Sequence, residues 1–291
     1  MKDIIVIVGP TGIGKTKLSI ELAKKLNAEI INGDSVAIYK ELNIGSAKPT
    51  IEEKEGIVHH LLDVCDVSEE YSVFDYQQDV RRLITEITNR HKRIIIVGGT
   101  GLYIKAALYN YNFTTGTTYN EYTELSNKDI LEKLKTYTND ELPHENNRKR
   151  LVRLLNKYEN NEVITKNKDE VLYPIKVIGL TTSRDYLYER INKRVDTMIK
   201  NGLLDEIQSL KKYYNSSRIL NSGIGYKEFV PYLYENASLE TVVEQIKLDS
   251  RRYAKRQYTF FKHQFNTHWI DVNFNDFSKT VDEAYSYIQT K

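Results

Sequence analysis

One cysteine, Cys65, stands among 291 residues. That excludes a disulfide framework and any multi-cysteine metal site, and leaves the thiol its common role as a small core residue. Long apolar runs are missing as well: none approaches the ~20 residues that cross a bilayer. The N-terminus enters a strand-like run without the charged-then-apolar order of a secretion signal. A cytoplasmic protein with no membrane partner is expected. Charge of one sign is also lacking, since 42 Lys and Arg face 40 Asp and Glu for a net +2. The total therefore does not announce a nucleic-acid binder. The paired histidines His59-His60 lack H-x-x-x-H spacing and would point opposite ways on a strand, which favours hydrogen bonding over metal binding. With 40% hydrophobic and 28% charged residues the chain reads as globular, and its length suits one large domain or a core with an insertion.

What is present is organised around residues 3–34. Asp3 to Val8 reads as a short buried strand. Gly9-Pro10-Thr11-Gly12-Ile13-Gly14-Lys15-Thr16 follows at once and fits G-x-x-x-x-G-K-[ST] at every position. Lys17 to Leu26 continues as a helix with Leu18, Leu22 and Leu26 on one face. Strand, glycine loop and helix start let backbone N–H groups close around phosphate oxygens, aided by the helix N-terminus. Lys15 can reach a terminal phosphate and the Thr16 hydroxyl can ligate Mg²⁺. Ala28–Asn32 reads as a second strand ending at Gly33-Asp34-Ser35, so Asp34 faces the crevice where doubly wound sheets bind ligands. Residues 36–49 are too polar and glycine-punctuated for a core element and read as a functional loop.

A further absence narrows the chemistry. Phosphate-hydrolysing P-loop proteins place an acid at the end of an apolar strand to hold Mg²⁺ or orient water. After the third buried strand, Arg93–Val97, come Gly98-Gly99-Thr100 instead. Asp34 is the strand-end acid near the loop, a pattern that suits a transferase acting at a diphosphate. From residue 110 to 172 glycine nearly vanishes and helical segments recur (Ile130–Tyr137, Arg148–Glu159). The expected fold is α/β: a P-loop-type doubly wound parallel sheet core, discontinuous over 1–109 and 173–291, with a small α-helical insertion domain at 110–172. A strand at Tyr173–Leu180, a helix opening at Thr181–Asp185, a late strand at His268–Asp271 and a closing helix complete the core.

Although the net charge is small, its distribution is uneven. Arg148, Lys149, Arg150, Arg153 and Lys157 cluster in the insertion. On the helix expected from Leu239 to Phe261, Lys247, Arg251, Lys255, Tyr258 and Lys262 form a stripe widened by Arg252 and Arg256. Val243, Ile246, Ser250, Ala254, Gln257 and Phe261 form the adjoining buried face. Few acids interrupt the stripe, so intrahelical pairs absorb little of it, and a polyanion larger than a nucleotide is the expected partner.

Together these motifs point to a family. Gly9–Thr16, Asp34-Ser35-Val36-Ala37-Ile38-Tyr39-Lys40, Ile44-Gly45-Ser46-Ala47-Lys48-Pro49, His59-His60-Leu61-Leu62-Asp63, Gly98-Gly99-Thr100-Gly101-Leu102-Tyr103, Gly223-Ile224-Gly225-Tyr226-Lys227-Glu228 and Arg251-Arg252-Tyr253-Ala254-Lys255-Arg256-Gln257 occur in that order. The set resembles the tRNA dimethylallyltransferases over nearly the whole chain. The resemblance implies transfer of a dimethylallyl group from dimethylallyl diphosphate to N6 of the adenosine 3′ of a tRNA anticodon, releasing diphosphate, with Mg²⁺ as cofactor. It implies that residues 9–16 hold the prenyl diphosphate rather than ATP, with Thr16 on the metal. Asp34 matches the family's general base and Thr100 its hydrogen-bonding threonine, while Lys15 and Arg184 would neutralise the leaving diphosphate. Asp34, Ser35, Val36, Ala37 and Thr100 match tRNA contacts, as does Lys149-Arg150-Leu151-Val152-Arg153, where Lys149 replaces the usual glutamine. Arg251 and Lys255 are expected to contact tRNA from the basic helix. A bacterial form without a zinc-finger extension, acting as a monomer, is expected. The readings to separate from it are an adenylate dimethylallyltransferase using free AMP, a small-molecule P-loop kinase, and a non-catalytic RNA-binding protein with a vestigial loop.

Overall fold

A computed structural model describes residues 2–111, 113, 119–161 and 169–290. In chain order the elements are β1 (Ile4–Val8), α1 (Lys15–Leu26), β2 (Ala28–Asn32), α2 (Ile51–Lys54), β3 (His59–His60), α3 (Val73–Asn89), β4 (Arg93–Val97), α4 (Gly101–Leu108), α5 (Asn127–Tyr137) and α6 (Arg148–Glu159). They continue as β5 (Ile175–Thr181), α7 (Arg184–Lys200), α8 (Leu203–Leu210), α9 (Val230–Tyr234), α10 (Leu239–Gln264), β6 (Thr267–Asp271) and α11 (Phe277–Gln289).

The strands form one six-stranded sheet in the order β3-β2-β4-β1-β5-β6, with every pairing parallel. A parallel sheet is covered on both faces, so its central strands carry continuous apolar sequence. All residues of β1 are buried, and their side chains alternate between two cores. Ile4, Val6 and Val8 join a cluster with Tyr76 and Val80 of α3, Ile104 of α4, Ile207 of α8, and Ile246 and Phe261 of α10. Ile5 and Ile7 face the other way, onto Leu18 and Leu22 of α1 and Ala284 and Ile288 of α11. Each such isoleucine contributes roughly 1.5–3 kcal/mol by leaving water. The order β2-β4-β1 is what builds the site, because it sets the carboxyl ends of three strands side by side. Those ends lead into Gly33-Asp34, Gly98-Gly99-Thr100 and the 9–16 loop. Arg93–Val97, the third strand expected from sequence, is the fourth in chain order, because His59–His60 adds a two-residue strand beside Ile30 and Ile31.

The chain divides into two compact units, Met1–Tyr109 with Val171–Lys291, and Asn110–Glu170. The smaller unit packs Ile130, Leu134, Leu151, Val152, Leu155 and Tyr122 into its own core. Arg148, at the start of α6, donates to Leu125 O, Asn127 Oδ1 and Tyr122 O. Within the described residues of this unit it is therefore a staple, not a free surface cation.

Candidate active site

The phosphate loop is shaped by its glycines and by what α1 omits. Gly14 lies at φ 102° as the residue preceding α1, with no side-chain cap on the helix, a left-handed conformation that costs other residues a Cβ clash. No acid sits in the first turn of α1, while Lys24 and Lys25 sit in its last. The first-turn N–H groups and the positive end of the helix dipole are thus left to an anion. Lys15 Nζ folds back onto its own loop, donating to Gly9 O at 3.0 Å and Pro10 O at 2.8 Å. Burial, and then the positive charge of Arg194, pull the Lys15 ammonium down to about 7, against the opposing pull of Asp34. Thr16 is exposed beside it at the head of the helix.

Asp34 is held by the turn it makes. Its N–H donates to Asn32 Oδ1 at 3.0 Å and its Oδ1 accepts from Val36 N at 2.9 Å. Asn32 Nδ2 in turn donates to Asp34 O and Leu61 O, both at 2.9 Å. Oδ2 of Asp34 has no hydrogen bond among the described residues. The β4 loop closes on this turn: Thr100 N donates to Gly33 O at 3.0 Å, Ser35 N donates to Thr100 Oγ1 at 3.0 Å, and Thr100 Oγ1 donates to Ser35 Oγ at 3.2 Å. A Cβ at Gly98 would fall 2.1 Å from the Gly33 carbonyl carbon, so only glycine lets the two turns meet. The structure therefore brings Lys15, Asp34, Ser35 and Thr100 into one crevice.

Several residues read from sequence occupy other places. Arg184 lies exposed at the first position of α7, its guanidinium 5.1 Å over the Tyr188 ring. The arginine that acts electrostatically on both Lys15 and Asp34 is Arg194, 10 positions further on. Arg190, between them, donates from Nε to Gly12 O at 3.0 Å while stacking 4.1 Å over Phe274. Both follow α7's inner stripe of Leu187, Ile191 and Val195, the one signal that could have found them. Ala37 is buried, so little of its side chain faces outward. Leu151 and Val152 are placed in the same way: they sit on the inner face of α6, 0% and 4% exposed, whereas Lys149, Arg150 and Arg153 are exposed.

The stripe on α10 is likewise split. Lys247 Nζ pairs with Asp196 at 2.8 Å and Glu244 at 2.9 Å, and Arg251 donates to Asn192 Oδ1 at 2.5 Å. These two cations dock α10 on α7. Val242 rather than Val243 completes the buried face, being the residue one helical turn before Ile246. Lys255 and Arg256 are exposed and line a surface groove with Thr259, Phe260, His263 and Gln264.

The loop at 36–49 is irregular yet pinned. The Glu206 carboxylate of α8 accepts from Asn43 N, Ile44 N and Gly45 N at 3.0, 2.8 and 3.1 Å, and from the Tyr226 hydroxyl at 2.8 Å. Lys48 Nζ closes the loop internally on Tyr39 O and ties it to Asp63 Oδ1, each at 2.6 Å. The paired histidines hydrogen-bond: His60 Nε2 lies 2.7 Å from Glu29 Oε2 and His59 Nδ1 2.9 Å from Ile57 O.

A parallel sheet with a phosphate loop at its switch point and a carboxylate in the same crevice defines a phosphate-ligand site of the P-loop α/β class. The comparisons narrow this. A family model described as IPP transferase matches residues 37–264. The tRNA dimethylallyltransferase of Bacillus cereus is 44% identical over 307 aligned positions, spanning 100% of this chain and 95% of its own. Its Bacillus anthracis counterpart is also 44% identical, spanning 100% and 96%. Among solved structures, a tRNA isopentenylpyrophosphate transferase from Staphylococcus epidermidis has a TM-score of 0.76 at 39% identity, covering 99% of each chain. A eukaryotic dimethylallyltransferase acting on tRNA reaches 0.78 at 30% identity, covering 98% of this chain and 78% of that one. The chain belongs to the tRNA dimethylallyltransferase, or IPP transferase, family.

Proposed function

We propose that this chain transfers the dimethylallyl group of dimethylallyl diphosphate to N6 of the adenosine 3′ of the anticodon in tRNA, with release of diphosphate. The observation that carries the reading is the meeting of Lys15, Asp34 and Thr100 in one crevice of a chain belonging to this family. N6 attacks the allylic carbon, the carbon–oxygen bond breaks with its electron pair going to the diphosphate, and the amine proton passes to Asp34. An exocyclic adenine amine is a weak nucleophile, so a carboxylate that orients it and takes its proton contributes directly. Asp34 Oδ1 is occupied by Val36 N, which leaves Oδ2 for the amine. Thr100 holds Ser35 N and so fixes the turn that aims Asp34. Lys15 and Arg194 offer positive charge to the leaving diphosphate, where negative charge accumulates as the bond breaks. For the adenine to enter, it must leave its stack at a cost of a few kcal/mol.

Mg²⁺ fits this donor set. Among the described residues no group of three or more His, Cys, Asp or Glu makes a protein cage, and magnesium commonly takes one or two protein oxygens and completes its shell with phosphate and water. Thr16 Oγ1 would be that protein oxygen, and the bound ion would supply further neutralisation of the diphosphate. The exposed cations Lys149, Arg150, Arg153, Lys255 and Arg256 are proposed to meet tRNA phosphates.

The reading is tested with labelled dimethylallyl diphosphate, Mg²⁺ and either unmodified tRNA or AMP. Label is expected in tRNA; label in AMP alone, or turnover of ATP without prenyl transfer, would replace this function with one of the others. The two kinds of α10 cation should also separate. Lys255→Ala with Arg256→Ala should leave the melting temperature in place and reduce the slope of log K against log salt by roughly one to two units. Arg251→Ala should instead lower stability by about 1.5–3 kcal/mol, the range for a hydrogen bond from a charged group. Equal salt slopes for both variants and the wild type would mean that Lys255 and Arg256 make no phosphate contact.

A further inference from the structure

We infer that Gln257 is a positioning residue that sets the spacing between the donor cradle and the loop facing the acceptor. The inference rests on the transfer reaction proposed above and concerns residues on both sides of it. Gln257 lies on α10, 4% exposed, with the two ends of its amide directed at different loops. Its Oε1 accepts from Thr11 N, inside the phosphate loop, at 3.1 Å. Its Nε2 donates to Gly99 O, one residue before Thr100, at 3.1 Å. The end of the β1–β4 ladder is Gly98 N donating to Ile7 O at 3.2 Å; past that point the two chains diverge into their loops. The Gln257 amide spans the gap where the ladder stops.

The arrangement is rigid for a physical reason. A buried amide that loses its partners carries the full cost of desolvation, so both ends of Gln257 are held to their carbonyl and N–H. Gly99 O also accepts from the Tyr253 hydroxyl, one turn earlier on α10, at 3.3 Å. Burial first, and the nearby Asp34 charge second, push the Tyr253 phenol up to about 12, so at neutral pH it keeps the proton this bond needs. Gly99 itself reports how close the contact is: a Cβ there would lie 2.1 Å from Gln257 Nε2, and its φ is outside the left-handed region. A side chain at 99 would therefore displace the glutamine amide, whereas backbone twist makes no demand for glycine there.

Each loop joined by this amide carries reacting machinery. Thr11 belongs to the segment that Lys15 folds against, and Gly99 leads into the threonine that fixes the Asp34 turn. A shift of about 1 Å between a nucleophile and its target can cost ~10²-fold in rate. Loss of the bridge should therefore appear in kcat, with the affinity for each substrate largely kept.

The test uses the full chain carrying Gln257→Leu, Gly99→Ala, or both, with Thr280→Val as a control. Thr280 is buried and its hydroxyl accepts from Asn273 N, so its loss destabilises the fold without touching either loop. Either single variant of Gln257 or Gly99 should lower kcat for prenyl transfer by roughly 10–100-fold, with tRNA KM and calorimetric donor Kd held. The double variant should be no slower than the slower single one, because both changes remove the same bridge. Thr280→Val should lower the melting temperature and keep kcat. Should Gln257→Leu fail to fold, Gly99→Ala poses the same question from the other side of the contact. A wild-type kcat in the folded variants, or a strictly additive double variant, would overturn the positioning role. If the wild-type chain transfers nothing to tRNA, the functional reading falls first and this one with it; if it does transfer, failure belongs to Gln257 alone.

Discussion

Asp34→Asn is expected to lower turnover of tRNA by about 10²–10⁴-fold, the usual contribution of a positioned general base, while leaving tRNA affinity within a small factor. Asparagine is the informative change because its Oδ1 can still accept from Val36 N, as Asp34 Oδ1 does at 2.9 Å. The turn survives and only proton acceptance is removed. Asp34→Ala removes the turn bond as well and should be at least as slow. Single-turnover rates with bound tRNA, beside equilibrium tRNA binding, separate the two effects. A loss below tenfold in Asp34→Asn would mean that the amine proton goes elsewhere.

Lys15→Ala should lower kcat by about 10²–10³-fold, the range for removing one preorganised donor from a developing anion. It also carries a pH signature. In the free protein burial and Arg194 hold Lys15 near 7, against an ordinary 10.5. The unfolded chain binds that proton throughout the window between those values and the folded chain does not. The burial penalty on folding is thus fully present below pH 7 and is relieved as pH rises toward 10.5. A bound diphosphate favours the charged ammonium and raises the value again. Donor binding at pH 8 should therefore take up a proton, and affinity should fall as pH rises above 7. Calorimetry in two buffers of different ionisation enthalpy reads the uptake, and Lys15→Ala should abolish it. Equal uptake in wild type and variant would place the proton on another group.

How much of this was legible depends on the distance between the interacting residues. The β1–loop–α1 unit could be read because its signal is contiguous: an apolar run, glycines at fixed spacing and an amphipathic helix. Asp34 was legible from its place after β2, and Gly98-Gly99-Thr100 from the strand before it. The burial of Gln257 was readable from its helical spacing with Ile246 and Phe261. Its partners were not, because Thr11 and Gly99 lie 246 and 158 positions away. The same limit misplaced the α10 stripe, where Lys247 and Arg251 are absorbed by Asp196 and Asn192 on a different helix. Leu151 and Val152 show a different limit: a five-residue motif does not lie on one surface of a helix, and the helical period turns that pair inward. Strand β3 was hidden by its length, since two residues show no alternation.

The hold of Glu206 on the 36–49 loop has a consequence for how that segment can change. Three amides and a phenol converge on one carboxylate, so the 43–45 end of the segment hangs on a single side chain. Ala37, Ile38, Tyr39 and Leu42 are committed to the core, so the freedom to vary in shape and polarity falls to exposed positions such as Lys40, while the anchorage stays where it is.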